Sequence, residues 1–261
     1  HGSGVAFDHY LSGYPVRAGL YALARTWRAT DVARAGSVWT HTFLITDEDL
    51  GEVRDLAALV ALFRRPEEGD WLPYSTPIEL PSEQVAVDRQ ELPAVSPEVA
   101  AQIVGHLYEP SGPRAVRLIT DDRDRWEPFV LGCWLQQWPR LRQALTFCTL
   151  ALGDMNLQGV PFALQVVPRE RRGDFPTRDQ VVTIDADAAM QPAVPGTAWV
   201  KAMVADLVGG REERSLREFL WRYGDDVTGE RAALARLADV YTHVTAVPPG
   251  LANRPADAGL S

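Results

Sequence analysis

Closely spaced prolines constrain the fold of this 261-residue chain more than any other feature. Proline has no backbone N–H and a fixed φ, so neither a helix interior nor a central strand is expected to pass through such a segment. The residues are Pro66, Pro73, Pro77, Pro81, Pro93 and Pro97. We therefore predict an N-terminal unit over 5–80, an extended linker over 81–98, a second unit over 99–247 and a disordered tail over 248–261.

The residues before the first proline have the pattern of a small antiparallel sheet followed by short helices. Two strands are predicted over Leu20–Trp27 and Ser37–Ile45, with a turn-rich segment between them. Thr46 then occupies an N-cap position ahead of three acidic residues, which predicts a helix over 47–52. A second short helix is expected over Asp55–Phe63.

The residues after the prolines mix strands with helices. Ser96 and Pro97 predict the start of a helix, and a helix over Asp124–Gln137 would place its tryptophans in one stripe. The predicted strands are Arg114–Thr120, Phe162–Val167 and Val181–Ile184. Three more helices are expected toward the C-terminus. We predict an α+β fold in which an N-terminal antiparallel sheet with short helices precedes a mixed unit ending in a helical cluster.

Charge and composition argue against several functional classes. The 26 Lys and Arg residues against 35 Asp and Glu give a net charge of −9, which argues against a nucleic-acid partner. Lys201 is the only lysine, and neither a GxxxxGK[ST] nor a GxGxxG loop is present, so we expect no cofactor. No apolar run approaches the ~20 residues that cross a bilayer, so no membrane partner is expected. Cys133 and Cys148 lie in apolar surroundings, which favours free thiols in a reducing cytoplasm.

A histidine and an acid near the N-terminus are the best candidates for acid–base catalysis. A carboxylate orients an imidazole for proton transfer, and Asp8, His9 and His41 supply these groups. Asp8 and His9 point to opposite sides of an extended segment, so neither orients the other. His41 shares a predicted strand face with Trp39 and Phe43, where a histidine is more typical of a core residue bonded to the backbone.

Three acidic residues follow the strand that is predicted to end at residue 120. Asp121, Asp122 and Asp124 have the position that a magnesium site takes in several phosphoryl-transfer folds. The same residues also fit an N-cap and first-turn acids of the next helix, so we favour that interpretation and expect no metal.

Two tryptophans are candidates for a protein contact. Trp27 lies near the end of a predicted strand and Trp71 lies among the prolines, so both are expected at the surface. Exposed aromatic side chains mark contact surfaces between proteins more often than they mark cofactor sites.

Three segments resemble one protein family. They are FDHYLSGYPV with YALARTW (Phe7–Val16 and Tyr21–Trp27), GSVWTHTFLI continuing to LFRRP (Gly36–Pro66), and WEPFVLGCWLQQWPRLRQALTFCT (Trp126–Thr149). The first two resemble the N-terminal region of bacterial GTPase-associated proteins, and the third is similar to the middle region of the same proteins. The resemblance implies a non-enzymatic scaffold or recognition adaptor of a bacterial conflict system for antiphage defence. Its implied partner is the GTPase, or another NTPase, encoded in the same gene cluster.

Two other functions remain open from the residues. One is a hydrolase or nucleotide-processing enzyme that uses His41 with Asp8 or His9, and the other is a small-ligand sensor with a tryptophan-lined pocket. The surroundings of His41 test the enzyme alternative. An acidic residue within hydrogen-bond reach in an open pocket favours the enzyme, whereas a buried ring bonded to main chain argues against it.

Overall fold

The computed structural model describes residues 5, 7–17, 19–30, 34, 36–65, 76–79, 95–189, 196–209 and 215–246. Within them, the strands are β1 (His9–Arg17), β2 (Leu20–Arg28), β3 (Val38–Thr46), β4 (Ala115–Thr120), β5 (Phe147–Cys148), β6 (Asn156–Leu157), β7 (Val160–Pro161), β8 (Leu164–Pro168) and β9 (Val181–Asp185). The α-helices are α1 (Asp47–Glu52), α2 (Leu56–Ala61), α3 (Pro97–Leu107), α4 (Glu127–Gln136), α5 (Pro139–Ala144), α6 (Ala198–Val208), α7 (Ser215–Tyr223) and α8 (Arg231–Ala246). Short 3-10 helices cover Asp124–Trp126 and Arg169–Asp174.

Seven of the strands form one sheet in the order β3-β2-β1-β5-β8-β4-β9. The strands β1, β2 and β3 are antiparallel neighbours, whereas β5, β8, β4 and β9 run parallel. β5 belongs to both halves, because it pairs antiparallel with β1 and parallel with β8. The helices α6, α7 and α8 pack against one another after the last strand. The predicted α+β class, with its N-terminal antiparallel sheet and C-terminal helical cluster, is confirmed.

The junction between the two halves of the sheet is two residues wide. Ser12 lies opposite Cys148, and Gly13 lies opposite Phe147. A Cβ atom on Gly13 would lie 2.2 Å from the hydroxyl oxygen of Tyr21 and 2.4 Å from the ring of Phe147. Glycine is therefore required at this position because two aromatic side chains fill the space that a side chain would need.

Polar side chains begin the helices where the sequence predicts. The Thr46 hydroxyl accepts a hydrogen bond from the backbone N–H of Asp49 (3.2 Å) at the start of α1. The carboxylate of Asp55 caps α2 at 3.0 Å. Ser96 caps α3 and is followed by Pro97 at the first helical position. These caps satisfy N–H groups that a helix leaves without an intrahelical partner, so the starts of all three helices follow from local sequence.

The hydrophobic core is built around the tryptophan stripe. Trp126, Trp134 and Trp138 are at most 1% exposed, so these tryptophans lie in the core. Trp134 stacks on Tyr21 of β2 with 5.8 Å between ring centroids. The Tyr21 hydroxyl donates a hydrogen bond to the carbonyl of Leu145 (2.8 Å). The stripe therefore packs against the antiparallel half of the sheet.

A buried arginine joins α1 to the end of α4. Arg142 of α5 is 0% exposed. Its guanidinium donates to the carbonyl oxygens of Leu50 (2.7 Å), Val53 (2.9 Å), Leu135 (3.0 Å) and Gln137 (2.7 Å). All four carbonyls lie in the last turn of a helix or directly after it, where carbonyls lack intrahelical partners and a positive charge is favourable. Burial lowers the pKa of Arg142 to about 9, so the guanidinium remains charged at neutral pH.

β1 is the main element that the sequence does not predict. The segment contains Gly13 and Pro15, which are typical of turns, and it forms a strand because β2 and β5 pair with its two edges. The strands of the predicted N-terminal and second units thus belong to one sheet. Most of the predicted linker and the whole of the predicted tail lie outside the described residues, and the division into units stays a prediction. In the described part of the chain, no helix is long and apolar enough to cross a membrane.

Replacing Gly13 by alanine is expected to destabilise the junction. The added methyl would overlap the hydroxyl of Tyr21 and the ring of Phe147, and overpacking of this kind costs about 1–3 kcal/mol in the free energy of unfolding. Urea unfolding followed by tryptophan fluorescence measures the change. The matched control is Gly112→Ala, where a Cβ has no heavy atom within 4 Å and a change within about 0.5 kcal/mol is expected. Equal effects for the two variants would contradict the packing argument.

Replacing Arg142 by methionine is expected to lower the free energy of unfolding by at least about 3 kcal/mol. Methionine fills much of the same space but removes a donor from four buried carbonyls, of which that of Leu135 keeps the indole N–H of Trp221 at 3.0 Å. Arg140→Met is the control, because Arg140 lies on the same helix with its side chain exposed. A loss of about 1 kcal/mol or less is expected for the control in the same urea titration. A similarly small loss for Arg142→Met would contradict the role given to this guanidinium.

Candidate functional site

A pocket lies along β3, the strand at one end of the described sheet. Its volume of about 650 Å³ falls within the range of small-ligand sites. β3 supplies one wall, while α1, the end of α2 and residues 76–79 supply the others. The described lining residues are His41, Thr42, Phe43, Leu44, Ile45, Asp49, Glu52, Val53, Leu59, Leu62, Thr76, Pro77, Ile78 and Glu79.

Alternation along β3 gives the pocket both a buried floor and an exposed apolar wall. Phe43 points toward the core, where its ring stacks on Phe63 with 4.3 Å between centroids. Val53, at the end of α1, is 1% exposed and completes the floor. Leu44 points to the other side of the strand and is 61% exposed, and Ile78 is 47% exposed. Large apolar side chains left open beside a recess are typical of a contact surface.

Three carboxylates surround this apolar floor. Asp49 and Glu52 come from α1, and Glu79 comes from the segment 76–79. The hydroxyl of Thr46 donates to Asp49 Oδ2 at 2.7 Å. Among the described residues, no ion pair is formed by any of the three, and no Arg or Lys lines the pocket. The pocket is therefore apolar at its floor and negative at its rim.

His41 is a buried lining residue bonded to the backbone. Its side chain is 6% exposed, and Nδ1 accepts a hydrogen bond from the backbone N–H of Arg64 at 3.1 Å. The ring also lies edge-on to Phe43 and Phe63, at 4.8 Å and 5.6 Å between centroids. Burial, and then the charge of Arg64, lowers the pKa of His41 below its ordinary value of 6.5. The imidazole is thus neutral at pH 7, and its Nδ1 is already an acceptor for main chain.

Asp8 and His9 lie away from His41. His9 is on β1 and His41 on β3, with β2 between them, so two strand spacings of about 10 Å in total separate them. The His9 Nε2 atom lies 3.7 Å from Glu127 Oε2. Asp8 is exposed at the start of β1. The structure therefore does not bring these candidate catalytic residues together.

A second charged cluster lies at the carboxyl ends of the parallel strands, where ligands often bind in such sheets. Arg169, directly after β8, forms two hydrogen bonds to the carboxylate of Asp185 (2.7 and 2.8 Å) and one to Asp121 (2.8 Å). Asp187 pairs with Arg125 and lies 3.4 Å from Arg169. Hydrogen bonds from Arg169 lower the pKa of Asp185. The carboxylates here are compensated by arginine, unlike those of the pocket.

The other acidic residues of this region have local contacts. Asp124 pairs with the neighbouring Arg123 at 3.3 Å, and the backbone N–H of Asp122 donates to the Thr120 hydroxyl at 3.1 Å. No side chain caps the 3-10 helix that begins at Asp124. Within the described ranges, no group of three or more His, Cys, Asp or Glu residues is arranged to hold a metal ion.

Of the two tryptophans predicted at a contact surface, the structure describes Trp27 but not Trp71. Trp27 of β2 is half-buried, lies opposite Trp39 and packs against the core. Trp71 lies outside the described residues. Trp27 is not among the described residues that line the pocket.

The sequence pattern identifies His41 as a candidate residue but does not identify the carboxylates around it. The pattern predicts Asp49 only as a first-turn acid of α1, and Glu79 lies among the prolines, where no element is predicted. The alternation of side chains along β3 and the helical periodicity of α1 each predict which residues share a face of that one element. Only the tertiary fold brings residues 76–79 against them.

His41 is expected to make stability depend on pH. The pKa of His41 is lower in the folded state than in the unfolded state, so protonation of the ring favours unfolding. The stability that the neutral ring contributes is therefore fully present above the unfolded pKa of about 6.5 and is lost as pH falls below that value. Between about pH 7.5 and pH 5.5, the free energy of unfolding should fall more for the wild type than for His41→Asn. Asparagine keeps an acceptor for the Arg64 N–H but does not titrate. Equal falls in the urea titrations of the two proteins would contradict a buried, neutral His41.

The family comparison concerns the same part of the chain. Residues 1–63 match the model of a protein family described as GTPase-associated protein 1, N-terminal domain type 1. The matched residues include β1, β2, β3, α1 and α2, and thus most of the pocket lining. No curated protein and no solved structure matches the chain. The N-terminal region is therefore similar to a domain of GTPase-associated proteins, as its sequence motifs predict.

Proposed function

We propose that this protein is a non-enzymatic recognition component of a GTPase-linked bacterial conflict system, and that it binds its partner through the pocket along β3. The observation that carries the proposal is that the pocket is built mainly from residues 41–62, which lie within the match to a GTPase-associated domain. A recess formed by the domain's own strand and helices is a natural place for a contact with the GTPase. The bacterial and defence context comes from the resemblance of the sequence motifs.

The contacts of His41 favour binding over catalysis. General acid–base work needs an imidazole with a nearby orienting group and a pKa near the working pH. His41 is instead neutral, buried and hydrogen-bonded to main chain through Nδ1. Asp8 and His9, which the alternative enzyme would need, lie two strands away. These observations support a recognition role over a hydrolase that uses the three residues.

The environment of the two cysteines does not favour catalysis by a thiol. Cys133 and Cys148 are at most 1% exposed. Burial raises the pKa of Cys148 to about 12 and also raises the pKa of Cys133. A nucleophilic cysteine needs an accessible thiolate, so both residues fit a structural role.

The lining of the pocket is typical of a protein contact. Leu44 and Ile78 leave apolar surface exposed, and charged residues surround it. Contact surfaces between proteins commonly combine an apolar centre with a polar rim. The tryptophan-lined ligand site of a sensor has no counterpart among the described residues of the pocket.

The proposal predicts a GTPase partner that contacts the pocket. We expect affinity purification of the full-length protein from its native host to enrich a GTPase, in an amount that changes when a non-hydrolysable GTP analogue is added. Leu44→Asp should reduce the recovered GTPase by about tenfold or more, because it places a charge on the exposed apolar wall of the pocket. Quantitative mass spectrometry of the bound fraction measures both effects.

Val160→Asp is the matched control for this experiment. Val160 is 67% exposed, close to the 61% of Leu44, and lies on the β6–β7 hairpin outside the described pocket lining. The control should recover as much GTPase as the wild type. Absence of a GTPase from every sample would overturn the proposed function, and equal losses for both variants would show that the pocket is not the specific contact.

A further inference from the structure

We infer that the pocket along β3 binds an arginine or lysine side chain presented by an extended segment of a partner protein. The inference rests on the proposed function only in treating this pocket as the contact site. It adds the chemistry of what enters the pocket, which neither the family match nor the fold supplies.

The charge of the rim favours a cation. Asp49, Glu52 and Glu79 face one recess, and in the described part of the chain none of them has a basic partner. Among the described lining residues, His41 is the one whose side chain can become positively charged, and its imidazole is neutral at pH 7. An acidic or phosphorylated segment would meet three like charges, whereas an ammonium or guanidinium group would meet three opposite charges.

The apolar floor favours a long side chain beneath that cation. Phe43, Ile45 and Val53 form a surface that gains little from a small, fully hydrated ion. Arginine and lysine carry three or four methylene groups below the charge and bury these stems on apolar surface while the head stays near water. A floor of this kind with carboxylates at its edge therefore matches both parts of a basic side chain.

The shape of the pocket favours an extended segment over a compact ligand. Five consecutive residues of β3, from His41 to Ile45, line it. At ~3.4 Å per residue the strand wall is about 14 Å long, which is the length of four or five residues in extended conformation. The exposed side chains of Leu44 and Ile78 then contact the apolar neighbours of the basic residue.

The other charged cluster of the fold provides a contrast. At the strand ends, Asp121, Asp185 and Asp187 are already held by Arg169 or Arg125. A basic group from a partner would have to displace an internal arginine there. Around the pocket, no such displacement is needed among the described residues.

The test selects peptides without assuming a partner sequence. The full chain is immobilised and incubated with a library of random heptapeptides, and the bound peptides are sequenced. We expect enrichment of arginine or lysine at one position with apolar residues beside it. The best peptide is then synthesised in two forms, one with its basic residue and one with citrulline or norleucine in its place, and each is titrated by fluorescence polarisation.

Two variants on the same helix identify where the cation binds. The neutral form of the peptide should bind wild-type protein about tenfold more weakly than the basic form. Glu52→Gln should weaken the basic peptide about three- to tenfold and leave the neutral peptide unchanged. Glu48→Gln, on α1 but outside the described lining, should leave both unchanged. Both substitutions are isosteric and remove one charge, and circular dichroism checks that each variant is folded.

Several results would overturn the inference. These are no enrichment of basic residues, equal binding of the two peptide forms, equal effects of Glu52→Gln and Glu48→Gln, or binding of N-acetylarginine amide as tight as that of the peptide. The last result would identify a small-molecule site. Failure here, with a GTPase still recovered by the wild type, would overturn only the basic-segment chemistry. Absence of the GTPase, with basic peptides still bound, would overturn only the proposed function.

Discussion

One buried guanidinium sets the geometry on which the rest of the N-terminal structure depends. Arg142 lies 92 residues along the chain from Leu50 and 89 from Val53, yet it binds both of their carbonyls. The helix α1 has six residues and no basic residue in its last turn, so its terminal carbonyls need an external donor. Since Glu52 lies between the two bonded carbonyls, the same interaction fixes the end of α1 where it forms a wall of the pocket.

The N-terminal region is held in place by the rest of the chain in several other ways. β1 is paired on one side by β5, and the backbone N–H of Leu11 donates to the Thr149 hydroxyl at 2.8 Å. Arg25 of β2 forms an ion pair of 2.9 Å with Glu127 of α4. A three-stranded sheet with two short helices buries little surface alone, whereas here its core face packs against the tryptophan stripe. The region that matches a GTPase-associated domain therefore shares its core and its sheet with residues beyond the match.

Local sequence predicts those parts of the fold that are determined locally. The alternation of residues 38–46 and the caps at Thr46 and Ser96 depend on a few neighbouring residues, and each is found where it is predicted. β1 could not be predicted in this way, because Gly13 is required by rings from β2 and β5 that only the tertiary fold places there. The same limit applies to the pocket. The alternation pattern identifies His41 as a residue of interest, but the carboxylates around its recess come from two other segments, α1 and residues 76–79.

Carboxylates in the two charged regions of the fold differ in whether an arginine pairs with them. Carboxylates at the ends of parallel strands are compensated by Arg169 and Arg125, so they join β4, β8 and β9 to each other. Carboxylates around the β3 pocket lack basic partners in the described part of the chain and border an apolar floor. The first arrangement stabilises the fold, and the second leaves binding capacity for another molecule. That difference is the physical basis for the proposal that recognition takes place at β3.

Hydrogen–deuterium exchange of the full-length protein, alone and with the proposed GTPase partner, tests this placement most directly. Exchange reports protection segment by segment and needs no substitution. We expect slower exchange on binding in the segments that contain β3, α1 and residues 76–79, with little change at the strand-end cluster. Protection confined to the strand-end cluster or to α8, with no change along β3, would contradict recognition at the β3 pocket.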